Sequence, residues 1–184
     1  MNAPFLLILT GPPGAGKTTV ATRVAEHFTP SVVLEADALW AHFVRRFVEP
    51  WEEESDPQNR ALVRASLAAA ARLTSSGYAT VLSGHVGPWF MDLVDSELAE
   101  VRAPVVYVVL RPTLEDCLAR CVTRQLEPRH AGALNDEQVI RQMFRWYSNL
   151  ERFERHGLDI HGLTMDETTS LVVNELESPR FALG

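Results

Sequence analysis

Cysteine is scarce: Cys117 and Cys121 are the only two, one helical turn apart, which leaves no disulfide framework and no cysteine-based metal cluster. That usage suits a reducing, cytoplasmic setting, which is the expected location. Positive charge is also in deficit. With 17 Lys and Arg against 24 Asp and Glu, the net charge is -7, which excludes a broad basic face; no nucleic-acid partner is expected. The opening apolar run, Pro4–Leu9, is too short to span a bilayer and lacks a basic flank and a cleavage site. It reads as a strand, and no membrane partner is expected. His27, His42, His130, His156 and His161 fall at no metal-ligand spacing. No repeat, low-complexity tract or Gly/Ser linker divides the chain, so residues 1–184 are expected to form a single domain.

What is present is an alternation of strand and helix. Apolar strand-like runs fall at Phe5–Thr10, Val32–Ala36, Ala79–Ser83, Val105–Leu110 and Asp159–Met165. Asp56-Pro57 opens a helix that should run to about Ser76 and stop at Gly77, and Gly87-Pro88 opens another to about Glu100. Thr113 with Asp116, and Asn135 with Gln138, form capping-box patterns, and Asp166 is a plausible cap for the last helix. Continuous apolar strands separated by helices predict an α/β fold. Its three layers would be a five-stranded parallel sheet with right-handed crossovers and helices on both faces.

The first strand runs directly into Gly11-Pro12-Pro13-Gly14-Ala15-Gly16-Lys17-Thr18, a match to G-x-x-x-x-G-K-[ST]. Glycines let the backbone turn tightly and aim its N–H groups at phosphate oxygens. Lys17 is placed to reach the β- and γ-phosphates and Thr18 to ligate Mg²⁺. The helix starting near Lys17, which includes Thr19, adds the positive end of its dipole. The motif predicts a P-loop NTPase fold that binds ATP with Mg²⁺.

Other signatures narrow the class. No N/T-K-x-D base-reading motif of a GTPase is present, and the strands at Ala79–Ser83 and Val105–Leu110 are followed by no acid of the hhhh-D-E type. The second strand ends in Glu35-x-Asp37, two carboxylates that would leave one face at strand spacing and border the ligand crevice. Glu35 could then organise the Mg²⁺ shell while Asp37 aligns an acceptor hydroxyl and takes its proton. Strand and helix capping is the plainer role for both acids; for Asp37 the functional role is favoured.

With these features the chain resembles P-loop small-molecule kinases such as shikimate kinase, gluconate kinase and chloramphenicol phosphotransferase. The resemblance rests on Leu6–Thr18, on Glu35-x-Asp37 and on an arginine-bearing segment after the fourth strand. It implies transfer of the γ-phosphate of ATP to a hydroxyl of a small metabolite or antibiotic, with an acid matching Asp37 on that hydroxyl. It also implies a short lid, here about residues 120–135, whose arginines act on the phosphates; Arg124 is the first candidate and Arg120 the second. Arg120 and Arg124 share a helix face, and Arg129 and His130 follow in a stretch without helical pattern.

The expected acceptor side comprises Asp37, Arg46, His85 and Trp89. Trp40, Phe43 and Phe47 are expected in the core, from their helical spacing. His85 occupies the position after the third strand where relatives often carry an acid or a glycine run. The chemistry is thus assigned to Lys17, Asp37 and Arg124, with Gly11 to Thr19, Arg120 and Arg124 on the nucleotide. Nucleotide kinases, zeta-toxin-like modules and a non-transferring ATP-binding protein share this layout and stay open, as does a homodimer.

Overall fold

The computed structural model describes residues 3–125 and 136–183. Most of the expected lid, with Arg129, His130 and Asn135, therefore lies outside the described residues.

The sheet has the order β2–β3–β1–β4–β5, all parallel, with β1 at Leu6–Thr10, β2 at Ser31–Glu35, β3 at Ala79–Ser83, β4 at Val105–Arg111 and β5 at Gly157–Asp159. Helices α1 (Lys17–Ala25), α2 (Asp56–Ser75), α3 (Met91–Leu98), α4 (Leu114–Gln125), α5 (Glu137–Trp146) and α6 (Met165–Glu175) cover it. The central strands are nearly all apolar, with the buried hydroxyls of Thr10, Thr80 and Ser83 among the few exceptions, because alternate side chains enter two separate cores. Leu7 and Leu9 of β1 join Val20, Val24 and Val172 on the α1/α6 side. Leu6 and Ile8 join Leu67, Val94 and Tyr107 on the α2/α3 side. The α/β expectation of about five parallel strands is met.

Local details differ from the sequence expectation. The last parallel strand is three residues long, not seven, because the chain turns at Ile160 and reverses at Gly162, whose φ is 74°. A sixth strand, β6 (Ala182–Leu183), pairs antiparallel with Val105 and Val106, beside the part of β4 that β5 does not reach. The cap of α6 is Thr164 rather than Asp166: its hydroxyl accepts from the Glu167 amide while the Glu167 carboxylate accepts from the Thr164 amide. Asp166 instead pairs with Arg23 at 2.6 Å. At α5 the cap is Asp136, which accepts from the amides of Gln138 and Val139. At Thr113 and Asp116 half of the expected box forms: the Thr113 hydroxyl accepts from the Asp116 amide and donates to the Asp116 carboxylate.

The aromatics after β2 are not core. A 3-10 helix over Ala36–His42 follows the strand, and Phe43 leaves it in extended backbone. Phe43 and Phe47 are exposed and meet in a tilted contact, with ring centroids 5.9 Å apart, while Trp40 is half-buried.

The sheet edge near β6 holds a buried histidine. His156 Nδ1 donates to the Tyr107 carbonyl at 3.0 Å, and its Nε2 accepts from Arg155 at 3.1 Å. Burial lowers its pKa from the ordinary 6.5, the Tyr107 bond opposes this, and the charges of Arg155 and Arg180 lower it further. The unfolded chain then binds the proton more readily than the folded one. Stability conferred by the neutral ring is present above about pH 6.5 and declines as pH falls through the folded pKa. Thermal melts should show Tm falling through that window, and a His156→Gln variant should lose this part of the dependence.

Candidate active site

The loop after β1 is shaped by its glycines. Gly14 and Gly16 have φ of 76° and 87°, and Gly16 is the left-handed N-cap of α1. Since no side chain caps α1, its first amides are left for a ligand. Lys17 is buried; its ammonium donates to the carbonyls of Gly11 at 3.0 Å and Pro12 at 3.2 Å. Pro12, Pro13 and Ala15 are buried, Thr18 is half-buried in the first turn, and Thr19 is exposed.

Helix α4 rests on this loop. A Cβ added at Gly14 would lie 2.5 Å from the Cys117 carbonyl oxygen. Gly14→Ala should therefore force the loop and α4 apart, at a cost of about 1–3 kcal/mol of stability in urea denaturation, and weaken nucleotide binding. Arg120, one turn further along α4, donates to the Gly14 carbonyl at 3.4 Å. The structure thus brings Arg120 to the phosphate loop. Arg124 belongs to the same helix, but its side chain lies outside the described residues. Cys117 is buried, and burial pushes its thiol up to about 12; its neighbour Cys121 adds to this, while Lys17 and Arg120 oppose it. It is an inert packing thiol at neutral pH.

The two acids after β2 separate. Glu35 is the last strand residue, in register with Ser83, and is exposed. Asp37 lies in the 3-10 helix, so the expectation that both leave one strand face does not hold. The turn arises because Ala36 buries itself against the α2 core beside Gly84. A Cβ at Gly84 would stand 2.7 Å from the Ala36 Cβ and 3.0 Å from Asp37 Oδ1. Gly84 thereby lets Asp37 reach the end of β3, where its Oδ1 accepts from the His85 amide at 3.0 Å.

His85 joins Asp37 to a group that sequence reasoning missed. Its Nε2 stands 3.6 Å from Asp37 Oδ2, and its Nδ1 lies 3.4 Å from the Tyr147 hydroxyl. That hydroxyl is 3.1 Å from Thr10 Oγ1, in the residue before Gly11. Burial raises the Tyr147 pKa well above 10; the Thr10 hydrogen bond opposes this, and the Asp37 charge adds to it. The phenol is therefore a neutral hydrogen-bonding group at any physiological pH. The only sequence signal for Tyr147 was the aromatic pair Trp146-Tyr147 ending an amphipathic helix.

Trp89, in a short 3-10 turn at Pro88–Phe90, is 42% exposed. Its ring lies 5.2 Å from Tyr147 and 5.8 Å, edge to face, from Trp146. Arg46 is not brought in: it sits on the exposed loop after the 3-10 helix with φ 59°, and no contact joins it to Asp37 among the described residues. A cavity of about 410 Å³ opens beside Pro12, lined by Arg111, Thr113, Phe144, Tyr147 and His161. No cluster of three His, Cys, Asp or Glu side chains able to hold a metal occurs among the described residues. No described helix is long and apolar enough to cross a membrane.

A parallel sheet with this strand order, a glycine loop between β1 and α1, and a carboxylate across the crevice define a P-loop kinase. The chain belongs to the AAA_33 family, described as an AAA domain, whose model matches residues 6–150. It is 29% identical over 170 residues to a cytidylate kinase of Desulfurococcus amylolyticus, covering 89% of this chain and 81% of that one. The fold is similar to the tunicamycin resistance protein of Deinococcus radiodurans (TM-score 0.65, 19% identity, 95% of this chain and 96% of that one). It is also similar to a gluconokinase of Sinorhizobium meliloti (TM-score 0.64, 16% identity, 96% and 93%). The resemblance to P-loop small-molecule kinases stands. β3 and β4 end at Ser83 and Arg111, and His85 stands after β3 where those relatives often carry an acid or a glycine run.

Proposed function

We propose that the protein transfers the γ-phosphoryl group of ATP to a hydroxyl of a small molecule. The observation that carries this reading is the half-buried Asp37 carboxylate, held against the end of β3 and linked through His85 and Tyr147 to Thr10 at the root of the phosphate loop. The loop amides and Lys17 hold the triphosphate. Thr18, with Glu35 acting through water, would hold Mg²⁺, which offsets phosphate charge when bound.

Asp37 orients the acceptor hydroxyl and accepts its proton as the O–H bond breaks, the new oxygen–phosphorus bond forms and ADP leaves. Arg120, with Arg124, neutralises charge that develops on the transferring group. His85 and Trp89 border the acceptor. The α1 dipole and the excluded water of a closed site strengthen all these contacts.

A second acceptor class is a nucleoside monophosphate, favoured by the cytidylate kinase relative. The test is ADP release from MgATP against a panel holding gluconate, shikimate, tunicamycin and CMP. Turnover with a hydroxylated metabolite or antibiotic supports the first reading, and turnover with CMP alone selects the second. Nucleotide binding without transfer to any member of a broadened panel would overturn both.

A further inference from the structure

Large apolar side chains left open to solvent gather at one place. Among the described residues, Phe43, Val44, Phe47, Trp89 and Trp146 are exposed on or against the two segments that follow Asp37 and His85. Only Tyr78 and Val122 are comparably open elsewhere. A folded domain keeps such a gathering where a ligand covers it.

Trp89 is the member of this group whose ring is held in place. Its indole lies 5.2 Å from Tyr147, 5.9 Å from Phe90 and 5.8 Å from Trp146. The His85 ring packs on the same tyrosine, at 6.3 Å, so the indole and the imidazole facing Asp37 both rest on one buried phenol. The indole also folds back over Gly87: a Cβ there would lie within 2.6 Å of three of its carbons. Gly87 has φ -74° and ψ 170°, the extended backbone that any residue adopts before a proline. Glycine is needed at 87 for the ring, not for the turn. Sealing Tyr147 uses only part of the indole; 42% of Trp89 stays open beside the acceptor position.

Resting on the proposed phosphotransfer to a small acceptor at Asp37, we propose that this acceptor carries a planar aromatic or heteroaromatic ring that packs on Trp89, which makes Trp89 a specificity-determining residue. A flat π face gains offset-stacking contact with a fixed indole. An open-chain polyol would shed hydration there and find one N–H in return, since an indole donates and does not accept. A benzenoid ring and a nucleobase share the required chemistry. The ring contact is the same before and during phosphoryl transfer, so Trp89 acts on the KM of the acceptor and leaves kcat alone.

The test uses matched neutral alcohols that differ in the ring: cytidine against methyl β-D-riboside, and phenyl β-D-glucoside against methyl β-D-glucoside. Each is titrated into the full chain with Mg·AMP-PNP present, and Kd is read by ligand-observed NMR. At least one ring-bearing member should bind about 5- to 50-fold more tightly than its ringless partner. Preference for cytidine alone identifies a nucleobase, and preference for the phenyl glucoside alone a benzenoid ring. The preference should vanish in Trp89→Ala and largely persist in Trp89→Phe. It should weaken in Gly87→Ala, which displaces the indole without removing it. No preference in either pair, or one that survives Trp89→Ala, overturns the ring platform. Transfer to gluconate or shikimate with a KM unmoved by Trp89→Ala also overturns it, while the phosphotransfer reading stands. A Trp89-dependent preference without transfer to any ring-bearing alcohol supports the ring site and overturns the phosphotransfer reading.

Discussion

Lys17→Ala should raise the Kd for MgATP by about 10- to 150-fold, from loss of charge-assisted hydrogen bonds worth about 1.5–3 kcal/mol. The ammonium is already desolvated and aimed into the loop, held by the Gly11 and Pro12 carbonyls. A triphosphate exchanges those neutral acceptors for anionic oxygens, so binding needs a local exchange rather than the capture of a mobile side chain. The fold should tolerate the change. The loop keeps its turn from the Ala15 amide to the Pro12 carbonyl, and the left-handed glycines are untouched. Calorimetry with MgATP and a urea titration separate the two effects: weakened binding with little loss of stability is the expected pair.

The phosphate loop was legible in the sequence because its geometry is local: eight consecutive residues specify the turn, and β1 and α1 flank it directly. The strands were legible for a related reason, since burial on both faces leaves β1, β3 and the middle of β4 nearly all apolar, with small hydroxyls at Thr10, Thr80 and Ser83. Legibility failed where geometry depends on a distant partner. The spacing of Glu35 and Asp37 implied one face, but Ala36 finds space beside Gly84 and the chain bends into a 3-10 helix. Trp40, Phe43 and Phe47 have helical spacing, yet the helix that would bury them ends at His42. Tyr147 carried no local signal for its place, because the residues that receive its hydroxyl come from β1 and from the loop after β3. β6 is two residues long and is specified by the gap that β5 leaves along β4. Arg120 was ranked second among the lid arginines; its contact with Gly14 comes from α4 lying against the loop, which sequence spacing does not encode.

Asp37→Asn should lower kcat by roughly 10²- to 10⁴-fold, the range associated with loss of a general base, while leaving the KM for MgATP nearly unchanged. The substitution is well matched to the question. An asparagine Oδ1 can still accept from the His85 amide, so the bond that holds the end of β3 against the 3-10 helix is retained. What is lost is the negative charge and the second oxygen, the atom facing His85 Nε2 and free to meet an acceptor. A purely structural Asp37 predicts the opposite pattern, in which Asn is nearly silent and Asp37→Ala is damaging to stability. Steady-state kinetics on any acceptor turned over in the panel, together with thermal melts of both variants, distinguish the two. If Asn retains full kcat, the carboxylate is a loop clamp and the proton leaves the acceptor by another route. If kcat collapses with Tm unchanged, the charge itself acts on the hydroxyl.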